Sequence, residues 1–177
     1  EMTATHNAVA DTVPPPIIDE DTWWNIRDQP YWIEYNVTVT SNATLYILPG
    51  VTVKFNGSYS LIINGDLVAI GNSTDEVVFT SNSTSPNTGN WGSIRFNAGG
   101  NGGPNYFVST IKRATIEYAT IGVHCANRTI ALENSTVRNN NVGVYAYNHS
   151  IPFIANNTIT NNIENGIDWI NPLGLIA

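Results

Sequence analysis

An all-β fold, wound as a parallel β-helix (a solenoid) with an extended N-terminal arm or cap, is predicted by three features of the sequence. First, residues 111–170 repeat: IKRATIEYATIGVHC, LENSTVRNNNVGVYA and IANNTITNNIENGIDW lie over one another. Ile111, Leu132 and Ile154 share one column at separations of 21 and 22, and Ile116, Val137 and Ile159 share a second at the same separations. Gly122, Gly143 and Gly166 share a third, at 21 and 23. A period in the low twenties fits a leucine-rich repeat or a β-solenoid. Second, the apolar positions are short, alternating and β-branched, with Leu132 nearly the only leucine among them; this argues against the leucine-rich pattern and suits strands. Third, no segment has the length or period of a helix. Each repeat is therefore read as one coil, stacked on the next at about 4.8 Å.

Taken in order, residues 1–30 differ from the rest and are read as the arm or cap, with residues 31–177 as the β-helix domain. Glu1 to Val13 is polar and mixed, and Pro14-Pro15-Pro16 is a stiff extended spacer. Asp19, Glu20 and Asp21 form a short acidic run. Trp23, Trp24, Tyr31 and Trp32 cluster around Pro30. Three roles fit this cluster: a cap over the first coil, a docking arm for a neighbouring subunit, or platforms for sugar rings.

Strands are expected from Val37 onward, at Val37–Thr40, Leu45–Leu48, Val51–Phe55, Leu61–Ile63, Leu67–Ile70, Val77–Thr80 and Ile94–Phe96. Pro49-Gly50, Asn56-Gly57, Asn64-Gly65 and Gly71-Asn72 punctuate them as turns. Leu45, Leu61 and Val77 recur at 16, as do Val51 and Leu67, which predicts shorter coils or tighter corners in this half. Gly99 to Pro104 reads as a flexible insertion; it lacks the Lys, the Ser/Thr and the helix of a phosphate-binding loop. After Ile170 the chain reads NPLGLIA, an apolar stretch without a polar cap. A bare solenoid end is a template for another chain, and three explanations fit: more chain follows, Leu173 to Ala177 folds over the end, or another molecule covers it.

The run TLYILPGVTVKFNGSYSLIINGDLVAIGNSTDEVVFTSNSTSPNTGNWGSIRF resembles the opening of secreted right-handed parallel β-helix domains, of the kind found on bacterial and archaeal surface proteins. The later NSTVRNNNVGVYAY and NNTITNNIENGI resemble the carbohydrate-binding and sugar-hydrolase repeats of the same pectate-lyase-like superfamily, a repeat also found in periplasmic maturation proteins for nitrous oxide reductase. The resemblance covers residues 37–170 and implies a right-handed coil; for function it is poorly specific.

Composition narrows the function classes. Charged residues make up only 12%, so solubility rests on Asn, Ser, Thr and attached sugars. The net charge of −7 argues against nucleic acid and against an anionic membrane surface, and no apolar run approaches the length of a membrane-spanning helix. The chain begins at Glu1 without a leader-like segment, as a processed form or a cloned fragment would. Asn-x-Ser/Thr sequons begin at Asn36, Asn42, Asn56, Asn72, Asn82, Asn127, Asn134, Asn148 and Asn156. That is nine, where about four are expected by chance from 25 Asn and 30 Ser plus Thr. The excess favours an extracellular, N-glycosylated protein; the competing reading is that β-helix corners and strands need Asn and Thr anyway. The single Cys125 excludes an internal disulfide and reads as a buried small residue or an intermolecular bridge.

Chemistry is sparse. Polysaccharide lyases and polygalacturonases share the resembled fold and need clustered carboxylates, or a basic residue beside calcium. The register puts Lys112 beside Glu133 and Glu117 beside Arg138, which reads as cross-strand pairing. No Asp-Asp pair, Asn-Thr-Asp or Gly-His-Gly is present, and Ile111-Lys112-Arg113 is only a faint likeness to the basic segment of such enzymes. His6, His124 and His149 are scattered, zinc and copper spacings are absent, and calcium at Asp19, Glu20 and Asp21 is not indicated. Asn139-Asn140-Asn141 and Asn161-Asn162 align at 22 and are expected to form a hydrogen-bonded ladder. No catalytic residue, cofactor or metal is assigned. The expectation is a cell-surface structural protein, a filament or surface-layer subunit, whose partners are copies of itself or other surface proteins and polysaccharides. Trp23, Trp24, Tyr31 and Trp32 are its candidate subunit or sugar contacts. The alternatives are a carbohydrate-binding or polysaccharide-degrading module, with Trp91 as a further platform, and a non-polymerising adhesin.

Overall fold

A computed structural model describes residues 12–98, 109–148 and 150–170. These residues form a three-sided solenoid in which every strand pairing is parallel. Face one holds β1 (Ile17–Ile18), β4 (Val37–Val39), β7 (Leu61–Ile63), β10 (Trp91–Phe96), β13 (Ala119–Ala126), β16 (Val142–Tyr147) and β19 (Asn165–Ile170). Face two holds β2 (Thr22–Trp24), β5 (Thr44–Ile47), β8 (Asp66–Ile70), β11 (Thr110–Lys112), β14 (Ala131–Glu133) and β17 (Phe153–Ala155). Face three holds β3 (Tyr31–Ile33), β6 (Thr52–Phe55), β9 (Val77–Ser81), β12 (Ala114–Glu117), β15 (Thr136–Arg138) and β18 (Thr158–Thr160). Each coil visits faces one, two and three in turn, giving six coils and one further strand. No helix occurs among the described residues.

Alternation builds the core. On the short strands one residue points in and the next points out, as in Val37, Thr38 and Val39. The inward residues stack coil upon coil. Trp24, Ile47, Ala69, Ile111, Leu132 and Ile154 form one column on face two. Tyr31, Val53, Phe79, Ile116, Val137 and Ile159 form another on face three. The glycine column has a steric cause: a Cβ on Gly122 would lie 2.7 Å from the carbonyl oxygen of Gly143. Successive backbones approach too closely there for any side chain.

The expected strands between Val37 and Phe96 are all present, their ends shifted by a few residues. Two expectations need correction. Strands begin at Ile17 rather than Val37, because β1 and β2 already pair with β4 and β5; residues 17–30 thus wind into the first coil. The recurrence at 16 does not mark a coil. Leu45, Leu61 and Val77 lie on faces two, one and three, and the true partners are Leu45 with Leu67 and Val53 with Phe79, at 22 and 26 residues. Alternating apolar strands look alike on every face, so a spacing between faces can mimic a repeat. The Gly99–Pro104 insertion, His6, His149, the Leu173–Ala177 tail and Glu1–Asp11 lie outside the described residues.

Candidate functional site

The corners hold the most distinctive chemistry. Among the described residues, eight other than glycine have positive φ, and they form three columns. Arg113, Asn134 and Asn156 turn the chain from face two to face three; Tyr118, Asn139 and Asn161 turn it from face three to face one. Asn127 and Asn148 start the turn from face one to face two. Asparagine tolerates the left-handed region better than other side chains, which accounts for the Asn at six of these eight positions.

All nine sequon asparagines lie at corners, none within a strand, and they fall three to each edge of the prism. Asn42, Asn127 and Asn148 lie between faces one and two; Asn72, Asn134 and Asn156 between faces two and three; Asn36, Asn56 and Asn82 between faces three and one. Eight of the side chains are exposed and Asn82 is half-buried. At Asn72 the side chain organises its own turn, accepting from the backbone N–H of Thr74 and Asp75 at 2.8 Å each. The hydroxyl of Thr74 and the amide of Asn72 hold the Asp75 carboxyl below its usual range.

Inside the lower corners the predicted ladder is present. Asn140 is fully buried; its Oδ1 accepts from the N–H of Ala119 at 2.8 Å, and its Nδ2 donates to Ile116 O and to Asn162 Oδ1 at 3.2 and 3.1 Å. Asn162 Nδ2 donates to Val137 O at 3.1 Å. Ser135 and Asn157 repeat the device at the next edge, through Asn157 Oδ1 and the N–H of Ser135 at 2.8 Å.

A buried ion pair was not legible in the sequence. The Arg128 guanidinium donates to the Asp66 carboxylate and, at 3.0 Å, to Ser109 Oγ, while Ser109 Oγ donates to Asp66 at 3.1 Å. These residues come from three successive coils, and each is at most 8% exposed. Burial lowers the affinity of Arg128 for its proton and Asp66 opposes that shift. The signal was only an Asp opening a strand and an Arg at a turn, 62 residues apart, with no column to join them.

The predicted surface pairs form: Lys112 with Glu133 at 3.4 Å and Arg138 with Glu117 at 2.9 Å, each on adjacent coils. Of the aromatic contacts expected near the N-terminus, Trp24 and Tyr31 stack inside the first coil at 4.6 Å and are buried, so they cannot meet a partner while that coil is closed. Trp91 is likewise a core residue, stacked on Phe55 at 3.9 Å with Nε1 donating to Glu117 O at 2.8 Å. Trp23 faces out, with its ring against Tyr46 at 4.8 Å, and Trp32 faces out under Lys54. Cys125 is fully buried, its thiol pushed up to about 12 by burial, which excludes an intermolecular bridge from the folded state.

The outer side of face one carries a mixed column: Thr38, Ile62, Arg95, His124, Tyr145 and Asp168. Tyr147 flanks His124, with ring centroids 5.6 Å apart. Burial and the neighbouring Arg95 charge lower the His124 pKa to about 4, so the imidazole is neutral at pH 7. The hollows at the corners are shallow. One of about 220 Å³ lies beside Asn56 and Asn82, and one of about 350 Å³ lies beside Pro30 and Lys54. Neither gathers two carboxylates, and no cluster of three metal-ligating side chains occurs among the described residues. No protein-family model, curated protein or solved structure matches this chain.

Proposed function

We propose that this chain is a secreted, N-glycosylated structural protein of the cell surface, a right-handed β-helix of the pectate-lyase-like kind that assembles with copies of itself. The supporting observation is the distribution of the nine sequons. Sugars attached there would line three edges of the prism and leave the core, the sheets and the coil ends unobstructed. A second copy, or further winding of the same chain, would cover the face below the last described coil. Its inward positions Ile167 and Trp169 are about half exposed, whereas Val144 and Ala146 one coil above are sealed. Parallel strands offer the next chain a ready pairing edge.

Intact-glycopeptide mass spectrometry of the secreted protein, with negative-stain microscopy of the same material, tests this reading. Sugar at several corners and linear assemblies are expected; unmodified, monodisperse particles would overturn it. Asn134 and Asn156 sit on adjacent coils about 4.8 Å apart. At most one of the two is therefore expected to be occupied on a given molecule. If the N-terminal arm docks on a neighbour, removing residues 1–11 abolishes assembly and preserves the β-sheet circular dichroism. A deeper cut would remove β1 and uncover the first coil.

A second reading, a carbohydrate-binding or polysaccharide-degrading module, is favoured by the Arg95, His124, Tyr145 and Tyr147 group on face one. A glycan array with the wild type and Tyr145→Ala separates the two readings: binding lost in the variant supports this second one.

A further inference from the structure

We propose that the sequons beginning at Asn127 and Asn148 are closed by folding, so that they accept glycan only before coils five and six have wound. The inference rests on the glycoprotein reading above and separates the nine sites into accessible and sealed ones.

Transfer joins the asparagine Nδ2 to C1 of the first sugar of a lipid-linked oligosaccharide. The C1–O bond to the lipid phosphate breaks, the lipid phosphate leaves, and the amide gives up one proton. The acceptor is defined by the hydroxyl two residues on, so the transferring enzyme must reach that hydroxyl as well as the amide. At most corners both are within reach: Ser58, Thr74, Thr84 and Thr158 are exposed, and Thr38, Thr44 and Thr136 are half-buried; Thr129 is half-buried too, but its sequon is held through Arg128.

Ser150 is the exception, at 1% exposure. Its hydroxyl is shared between the carbonyls of Tyr147 and Cys125, at 2.7 and 3.1 Å, and it accepts from the backbone N–H of Arg128 at 3.1 Å. Arg128 is the middle residue of the other sequon and is itself buried, its guanidinium held by Asp66 and Ser109. The two sequons therefore lock each other. Drawing Asn127-Arg128-Thr129 into an enzyme would pull Arg128 out of its ion pair and off Ser150. Drawing out Ser150 would break the same contact from the other side. Asn127 and Asn148 display exposed amides on a segment that cannot leave the surface without opening the corner.

The test compares the folded, unglycosylated full chain with synthetic peptides carrying each sequon, using a purified oligosaccharyltransferase and its lipid-linked donor. The ratio of folded to peptide rate at each site removes the enzyme's own sequence preference. At Asn127 and Asn148 that ratio is expected to be at least about tenfold lower than at Asn56 and Asn72, because reaction there requires local opening. Asp66→Asn, which creates no sequon, should raise the ratio at Asn127 and Asn148 and leave Asn56 and Asn72 unchanged; Ser109→Ala serves if that variant does not fold. Equal ratios at all four sites, or no response in either variant, would overturn the inference. Secreted material without sugar at any sequon would overturn the glycoprotein reading while the rate ratios still judge the corner itself.

Discussion

The upper three coils and the lower three build the same prism by different means. In the upper half the corners from face two to face three are long: residues 25–30, 48–51 and 71–76 separate the strands, with positive φ at Gly50. The interior there is aromatic, with Trp24, Tyr31, Phe55 and Phe79 buried, and Trp91 and Phe96 on the first strand of the fourth coil continue that packing. In the lower half a corner from face two to face three takes one or two residues, turned by Arg113, Asn134 or Asn156. From the fifth coil on, the interior is aliphatic and small, with Val123, Val137, Val144 and Ala146, and buried Asn140 satisfies the backbone at the bend. Wide corners enlarge the cross-section and call for large rings to fill it. Tight corners shrink the cross-section, but leave backbone groups facing inward that need a polar side chain.

Two substitutions measure this division of labour. Trp91→Ala removes the largest side chain of the core, its stack on Phe55 and the bond to Glu117 O. A loss of about 3–5 kcal/mol in urea unfolding is expected. Asn140→Ala deletes only a small side chain but leaves Ala119 N–H and Ile116 O buried without that partner. A loss of about 2–3 kcal/mol is expected, far above that for an exposed corner residue without positive φ such as Glu164→Ala. If Asn140→Ala is no worse than Glu164→Ala, the buried ladder is not what closes the lower corners.

The same contrast explains what the sequence disclosed. The lower columns of Ile111, Ile116 and Gly122 were readable because tight corners hold the coil length nearly constant, so like residues recur on a fixed period. They also placed the ion pairs of Lys112 with Glu133 and Glu117 with Arg138 correctly. Above, corners of varying length break the period, and residues 17–30 of the first coil were read as part of an arm or cap. Trp24, Tyr31 and Trp91 stood among candidate cap, partner or sugar contacts because an aromatic residue bears no mark of which way its strand faces. The ion pair of Asp66 with Arg128 spans the two halves and belongs to no repeat, so nothing in the pattern announced it.

A smaller effect concerns pH on face one of the lower half. His124 has a folded pKa of about 4, below its unfolded value near 6.5, because burial and Arg95 disfavour the imidazolium. The unfolded chain therefore binds the proton first as pH falls. Stability is full above about pH 6.5 and declines as pH falls toward 4. Tyr145 and Tyr147 on the next coil pack against the ring and supply no opposing charge. His124→Gln should flatten the melting temperature between these limits relative to the wild type. An unchanged slope would mean that the imidazole is hydrated in the folded state.

The smallest effect lies at the boundary between the halves. Arg113 occupies the column that Asn134 and Asn156 fill one and two coils below, at φ 50°. A left-handed conformation costs a residue with a β-carbon roughly 1–2 kcal/mol, and glycine avoids this at an entropic cost of roughly 0.5–1 kcal/mol. Its backbone bonds, N–H to Glu133 O at 3.1 Å and carbonyl to the N–H of Val77 at 3.2 Å, do not depend on the side chain. Arg113→Gly is thus expected to stabilise the protein by about 0.5 kcal/mol. Arg113→Ala is the control, because it deletes the guanidinium but keeps the β-carbon and the strain. Asparagine would be the natural replacement by analogy with the coils below, but with Thr115 two residues on it would create a tenth sequon and confound the measurement. A gain for Gly over Ala locates the cost in the backbone turn. Equal stability of the two variants would show that the corner is held open by its neighbours regardless of which residue turns it.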